Sequence, residues 1–185
     1  MNILDAAAAS ATFTAEAHPL GMVAIRFPLR SFVVRVHVWA TATQAFRDEF
    51  GQIHDHTWDL DSHVLLGEIE NARYDLCEHP SGEPVWLHDY STHSVVDSGR
   101  RMMPVLLRRE VYRGGNSYEL AAGQMHSTVR TAEGTMTLVK AVPTSLRVAR
   151  ILGATAAARQ RSAVRRTVTP HEALQYVRMA VQIHG

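Results

Sequence analysis

Residues 51–71 read GQIHDHTWDLDSHVLLGEIEN. Three histidines and three aspartates fall within residues 54–63, and an apolar run then leads to Gly67. His54 and His56 stand one residue apart at the head of what reads as a strand. In a strand, residues i and i+2 point to the same side, so the two imidazoles project together from a stiff platform and can grip one ion. The competing reading is a polar, exposed strand start. A metal site needs a further ligand from elsewhere, and GNSYELAAGQMHSTV (115–129) offers His126 on another predicted strand. Three neutral imidazoles would then meet one ion.

The surrounding chain is rich in strand signals. SFVVRVHVWA (31–40) alternates and is β-branched, which predicts a strand. Phe32, Val34, Val36 and Val38 share one face, and Val33, Arg35, His37 and Trp39 share the other. HVLLGEIENARYDL (63–76) reads as a strand with Gly67 as a bulge or close approach. VWLHDYS (85–91), MPVLLRREVY (103–112), SYELAAGQMHSTV (117–129) and TMTLVKAV (135–142) are further predicted strands. HPSGEP (79–84), RGGN (113–116) and AEGT (132–135) supply turns. Many short strands with regular turn signals argue a sandwich or barrel.

Both ends differ in character. MNILDAAAASATFTAEAHPL (1–20) carries no Lys or Arg, and Asp5 interrupts its apolar part. It reads as a short helical arm and not as a signal peptide. Residues 144–166 are rich in Ala and Arg and are expected to be partly helical. TPHEALQYVRMAV (169–181) opens with Thr169 as N-cap, Pro170 at the first helical position and Glu172 closing a capping box. Leu174, Val177 and Val181 follow at helical spacing, which predicts a helix covering one side of the barrel or an oligomer interface.

A chain of 185 residues is one domain by default and can bury a sizeable core. Its 46% hydrophobic and 20% charged residues are those of an ordinary globular protein. Nine acids and two bases lie between Thr43 and Glu78, against seven arginines and one acid from Leu146 to Gly185. The basic tail reads as a solvated helix face or a subunit contact, and nucleic acid is not the expected partner. Cys77 is the only cysteine, which removes intrachain disulfides and fits a reducing, cytoplasmic compartment. No apolar run reaches membrane-spanning length.

The motifs together resemble the cupin superfamily, whose fold is a small double-stranded β-helix barrel. Its first motif has His-x-His, a carboxylate and then a glycine, matched here by His54, His56, the candidate Asp61, and Gly67. Its second has a glycine, a Pro-x-Gly and a histidine, matched by Gly115, Gly123 and His126. Ala121 stands at the proline position and Arg130 at the final Asn position. Counting forward from His56 puts Asp61 at the carboxylate position, whereas counting back from Gly67 puts Leu60 there. Asp61 also has the wrong strand parity relative to His56, so it is not expected to ligate. The resemblance covers about residues 30–143. It implies a single all-β cupin domain over 1–185, a barrel with a short N-terminal arm and a helical C-terminal tail from about residue 144.

The resemblance further implies a metal-dependent enzyme with His54, His56 and His126 as ligands. In metal pattern it is similar to His-only Fe(II) cupin dioxygenases such as the thiol dioxygenases. Fe(II) is the expected ion, with Zn, Mn or Ni as alternatives, and the substrate is a small molecule. Tyr118 shares the parity of His126 and is the candidate catalytic hydroxyl. Trp58 and Arg35 are candidate substrate-binding residues, although for Arg35 and His37 a water-facing outer side is the slightly favoured reading. Two other classes fit the same residues. One is a cupin lyase, isomerase or epimerase that uses the ion as a Lewis acid. The other is a non-catalytic ligand-binding or assembly module. The tail helix and the resemblance both suggest a homodimer.

Overall fold

A computed structural model describes residues 13–47, 52–92, 94–153 and 166–185. The chain folds as an all-β domain of two sheets with one C-terminal helix. The strands are β1 (Thr14–His18), β2 (Met22–Pro28), β3 (Val33–Val38), β4 (Ile53–His54), β5 (Trp58–Leu66), β6 (Glu68–Asp89), β7 (Ser94–Arg113), β8 (Ser117–Leu120), β9 (His126–Thr131), β10 (Met136–Pro143), β11 (Val148–Leu152) and β12 (Thr167–Val168), and the helix is α1 (Pro170–His184). The first sheet runs β12-β1-β2-β3-β10-β5-β8 and the second β11-β4-β9-β6-β7. All pairings are antiparallel. No helix among the described residues is long and apolar enough to cross a membrane.

Alternation along β5 decides which way the first sheet faces. Leu60, Ser62 and Val64 are buried, whereas Asp59 and Asp61 are exposed. Gly67 ends β5 at φ 76°, a left-handed conformation that favours glycine. A Cβ there would lie 2.5 Å from Thr135 Oγ1, so the position serves as a close approach between strands. Thr135 Oγ1 in turn donates to the carbonyls of Glu68 and Ala132.

Helix α1 begins as its signals predict. Thr169 Oγ1 accepts from the Glu172 amide at 3.2 Å, and a Glu172 carboxylate oxygen accepts from the Thr169 amide at 2.8 Å. Its buried face differs from the expected one. Leu174 and Val181 are exposed, and Ala173 and Ala180 are fully buried. Ala173 packs with Ala15, Ala17, Val23, Ile25 and Val168, with Tyr176 and Val177 alongside. Small side chains at 173 and 180 let the helix lie close on the first sheet, which outweighs the larger apolar area of Leu174 and Val181.

Several expectations are corrected. Thr14–His18 is a strand paired with β2, so this part of the expected N-terminal arm is not helical; residues 1–12 lie outside the described residues. Val148–Leu152, expected to be partly helical, is strand β11, because it finds partners in both β4 and β6; residues 154–165 lie outside the described residues. HPSGEP does not reverse the chain but sits within β6, where the register against β7 shifts between Glu78 and Glu83. The expected single strand over 117–129 is broken by a turn, with the Gln124 amide donating to the Ala121 carbonyl.

Candidate metal centre

A two-residue strand positions the site. β4 has two residues, and His54 pairs on one side with Ile151 of β11 and on the other with His126 of β9. The pairing that holds the first histidine is therefore the pairing that delivers the last. The chain leaves the strand after His54, yet the alternation persists: His54 and His56 turn one way and Asp55 the other. Ring centroids lie 4.8 Å apart for His54 and His56, 4.7 Å for His54 and His126, and 4.9 Å for His56 and His126. One ligand nitrogen from each falls within 4.8 Å of the others. The cluster is thus a three-histidine set able to hold a divalent metal ion.

The donor set fits an ion. His126 Nδ1 lies 2.9 Å from the Gln124 carbonyl, which fixes the proton on Nδ1 and leaves the Nε2 lone pair for a metal. His56 Nδ1 is buried without a hydrogen-bond partner, as suits a nitrogen able to ligate an ion. Burial, joined by the charge of its neighbours His54 and His126, holds the His56 imidazole well below its ordinary pKa. Burial first, then His54, lowers His126 from 6.5 to about 3. Both rings are therefore neutral at physiological pH, as ligation requires.

Behind the histidines lies a staple. Asp55 is 2% exposed, and its carboxylate accepts from the Arg150 amide at 2.5 Å and from Arg150 Nε at 2.6 Å. Arg150 Nη2 also donates to the Gly123 carbonyl at 2.7 Å, and the Gly123 amide donates to the His56 carbonyl at 2.9 Å. One side chain thus ties the segment bearing His54 and His56 to the turn that precedes His126.

A cavity of about 50 Å³ opens between the sheets beside the histidines, and Arg35, His37, Trp39, Asn71 and Tyr118 line it. Arg35 faces inward: it is 9% exposed and its guanidinium lies 5.0 Å from the centre of the Trp58 ring. The water-facing alternative for Arg35 does not hold, because its side chain is buried and lines the cavity between the sheets. Trp58 supports Arg35 and packs against the cluster around Leu60 and Val139. Tyr118 stacks on Tyr112 with ring centroids 4.6 Å apart. Burial raises its pKa above 10, against the opposing effect of Ser62 and Asn71, so it remains a protonated phenol. Asp61 is exposed on the outer side near Asp59, Glu119 and Lys140 and stands apart from the histidines.

Sequence reasoning left out Asp55, Arg150, Trp39 and Asn71. Trp39 was within reach, because it shares strand parity with Arg35. Arg150 was not, because its segment reads as part of a basic, helix-prone tail.

No protein-family model matches the chain, and no curated protein matches it. Among solved structures, it is similar to the hydroquinone 1,2-dioxygenase PnpCD in complex with Cd2+ and 4-hydroxybenzonitrile, at 14% identity and a TM-score of 0.37. That match covers 65% of this chain, which spans 64% of the length of the other. It is also similar to the hydroquinone 1,2-dioxygenase from Sphingomonas sp. TTNP3 with 4-hydroxybenzoate bound, at 14% identity and a TM-score of 0.36, over 78% of this chain and 74% of that one.

Proposed function

We propose that the chain is a metal-dependent enzyme of the cupin type, its sheets closed into a double-stranded β-helix barrel, and that it is an Fe(II) dioxygenase acting on a small molecule. The observation that carries this reading is the convergence of His54, His56 and His126 on one cavity with no carboxylate among them. A divalent ion held by three neutral ligands keeps its full double charge and open positions, and iron in such a site supplies substrate and O₂ binding side by side. His126 presents Nε2 because the Gln124 carbonyl holds its Nδ1 proton. Arg35, supported by Trp58, fixes an anionic group of the substrate. Tyr118 donates from its hydroxyl, which burial keeps protonated. Asp61 takes no part in ligation. Cytoplasmic location and a homodimer belong to the same proposal, the dimer being checked by light scattering.

The test is anaerobic purification followed by elemental analysis and oxygen-uptake assays on small-molecule substrates. Iron near one per chain and substrate-dependent oxygen consumption are expected. A protein that binds no divalent ion and gains no stability from one would be a ligand-binding or assembly module instead. Tyr118, which lines the same cavity as the histidines, favours a second reading, a lyase or isomerase in which the phenol carries a proton for a metal-acidified carbon. Turnover without oxygen consumption would select it.

A further inference from the structure

The turn between β8 and β9 delivers His126, and an arginine outside the ligand set grips it. Arg73 stands on β6 directly opposite His126 on β9, so the two side chains start from the same face of adjacent strands. Its side chain is 11% exposed. Nη1 donates to Gln124 Oε1 at 3.0 Å and Nη2 to the Glu119 carbonyl at 2.8 Å. Nε lies 3.3 Å from Glu110 Oε2. A guanidinium so far out of water is costly unless it is paired, and here its rigid fork spans the turn from Glu119 to Gln124. Gln124 is held at both ends. Its side chain accepts from Arg73, and its carbonyl accepts from His126 Nδ1 at 2.9 Å. A carbonyl can only accept, so that bond selects the Nδ1–H tautomer and leaves Nε2 its lone pair. The direction of the carbonyl is set by soft backbone torsions, which the tie from Arg73 restrains.

We propose that Arg73 is a positioning residue for His126: by holding Gln124 it fixes the carbonyl that sets the tautomer and direction of the ring. It acts through Gln124 and is neither a ligand nor a catalytic residue. The Tyr74 amide supports the same arrangement one residue on, donating to the Met125 carbonyl at 2.9 Å. Arg73 is thus the counterpart of Arg150, which grips the same turn at the Gly123 carbonyl from the side of β11. The competing role is purely structural, with Arg73 closing the turn onto β6 and leaving the ring indifferent to its loss. The inference deepens the preceding reading and rests on it for the ion, whereas the tautomer of His126 is a property of the metal-free chain.

The experiment compares wild type, Arg73→Met, Gln124→Met and the double variant. It reads the histidine rings by nitrogen-15 NMR in metal-free protein, Co(II) binding by visible absorption and chelator competition, and urea midpoints. Wild type is expected to hold His126 as the Nδ1–H tautomer. Each single variant should populate the Nε2–H tautomer and weaken Co(II) roughly threefold to tenfold. That is less than the roughly 10–100-fold cost of losing a ligand's direct partner, because the Gln124 carbonyl remains. The double variant should weaken Co(II) no further than either single one, as expected of residues that act as a unit. Gln124→Glu, whose carboxylate keeps the tie to Arg73, should bind Co(II) as wild type does. Unchanged tautomer and Co(II) affinity in the single variants, whatever the urea midpoint, would overturn the proposal and leave Arg73 a structural role. Additive losses in the double variant would overturn the route through Gln124. Should Arg73→Met fail to fold, the half-buried Gln124 carries the comparison through Gln124→Met and Gln124→Glu. Wild type that takes up no Co(II), with a His126 tautomer that still answers to Arg73, would sink the metalloenzyme reading and leave the positioning role standing.

Discussion

His56 and Asp61 lie five positions apart and differ in what each offers an ion. His56 has a buried nitrogen with no partner, whereas Asp61 is solvated on the outer side of β5. His56→Ala should therefore lose nearly all bound metal and Asp61→Asn should keep most of it, read by elemental analysis after dialysis. Asp55 tests the support behind the ligands. Asp55→Asn removes the charge that Arg150 neutralises and weakens two short contacts. Metal affinity should fall, because the segment bearing His54 and His56 loses its tie to the turn before His126, with stability lower by about 1–3 kcal/mol. Unchanged affinity measured with a competing chelator would show that the staple holds the fold alone. At this scale the sequence was informative: His-x-His and the later histidine stand out by type and spacing. Asp55 and Arg150 do not, because nothing local marks two residues 95 positions apart as partners.

Among the elements, α1 and the β5–β6 junction carry the clearest expectations. Thr169→Ala removes the oxygen that accepts from Glu172 and should cost about 1 kcal/mol, seen as a modestly lower melting temperature with metal content unchanged. Gly67→Ala should cost more, at least about 1–3 kcal/mol for the strained backbone alone, because its Cβ would also press on Thr135. Denaturant midpoints measure both. The helix was legible because capping chemistry is local. The face it buries was not, since that depends on how closely the sheet lets a helix approach. Strand β3 was legible from its alternation, but which of its faces looks inward is a property of β2 and β10. The strand β2 segment, MVAIRFP, was overlooked beside an alanine-rich arm, and β4 is too short to leave any periodic signal.

For the molecule as a whole, two of the site's three imidazoles, His56 and His126, are kept uncharged by burial. His126 is lowered from 6.5 to about 3, and His56 is well below 6.5. Below about pH 6.5 the unfolded chain binds protons at these positions that the folded chain refuses, so folding stability falls with pH. That stability is fully present above 6.5 and is lost progressively as pH drops toward 3. Metal-free protein should show a lower urea midpoint at pH 5.0 than at pH 7.5. A divalent ion should raise the melting temperature at pH 7.5 by mass action and lose that effect in acid, as protons displace it. The pairing of His54 with Ile151 and His126 sets an order in time as well as in space. A chain emerging from the ribosome carries its first two ligands long before the third, and the strand that flanks them comes later still. Until residue 152 is free, β4 has no second neighbour and Asp55 no arginine. The nascent chain therefore cannot assemble the finished site, and metal loading belongs to the period after synthesis has passed the last strand of the second sheet.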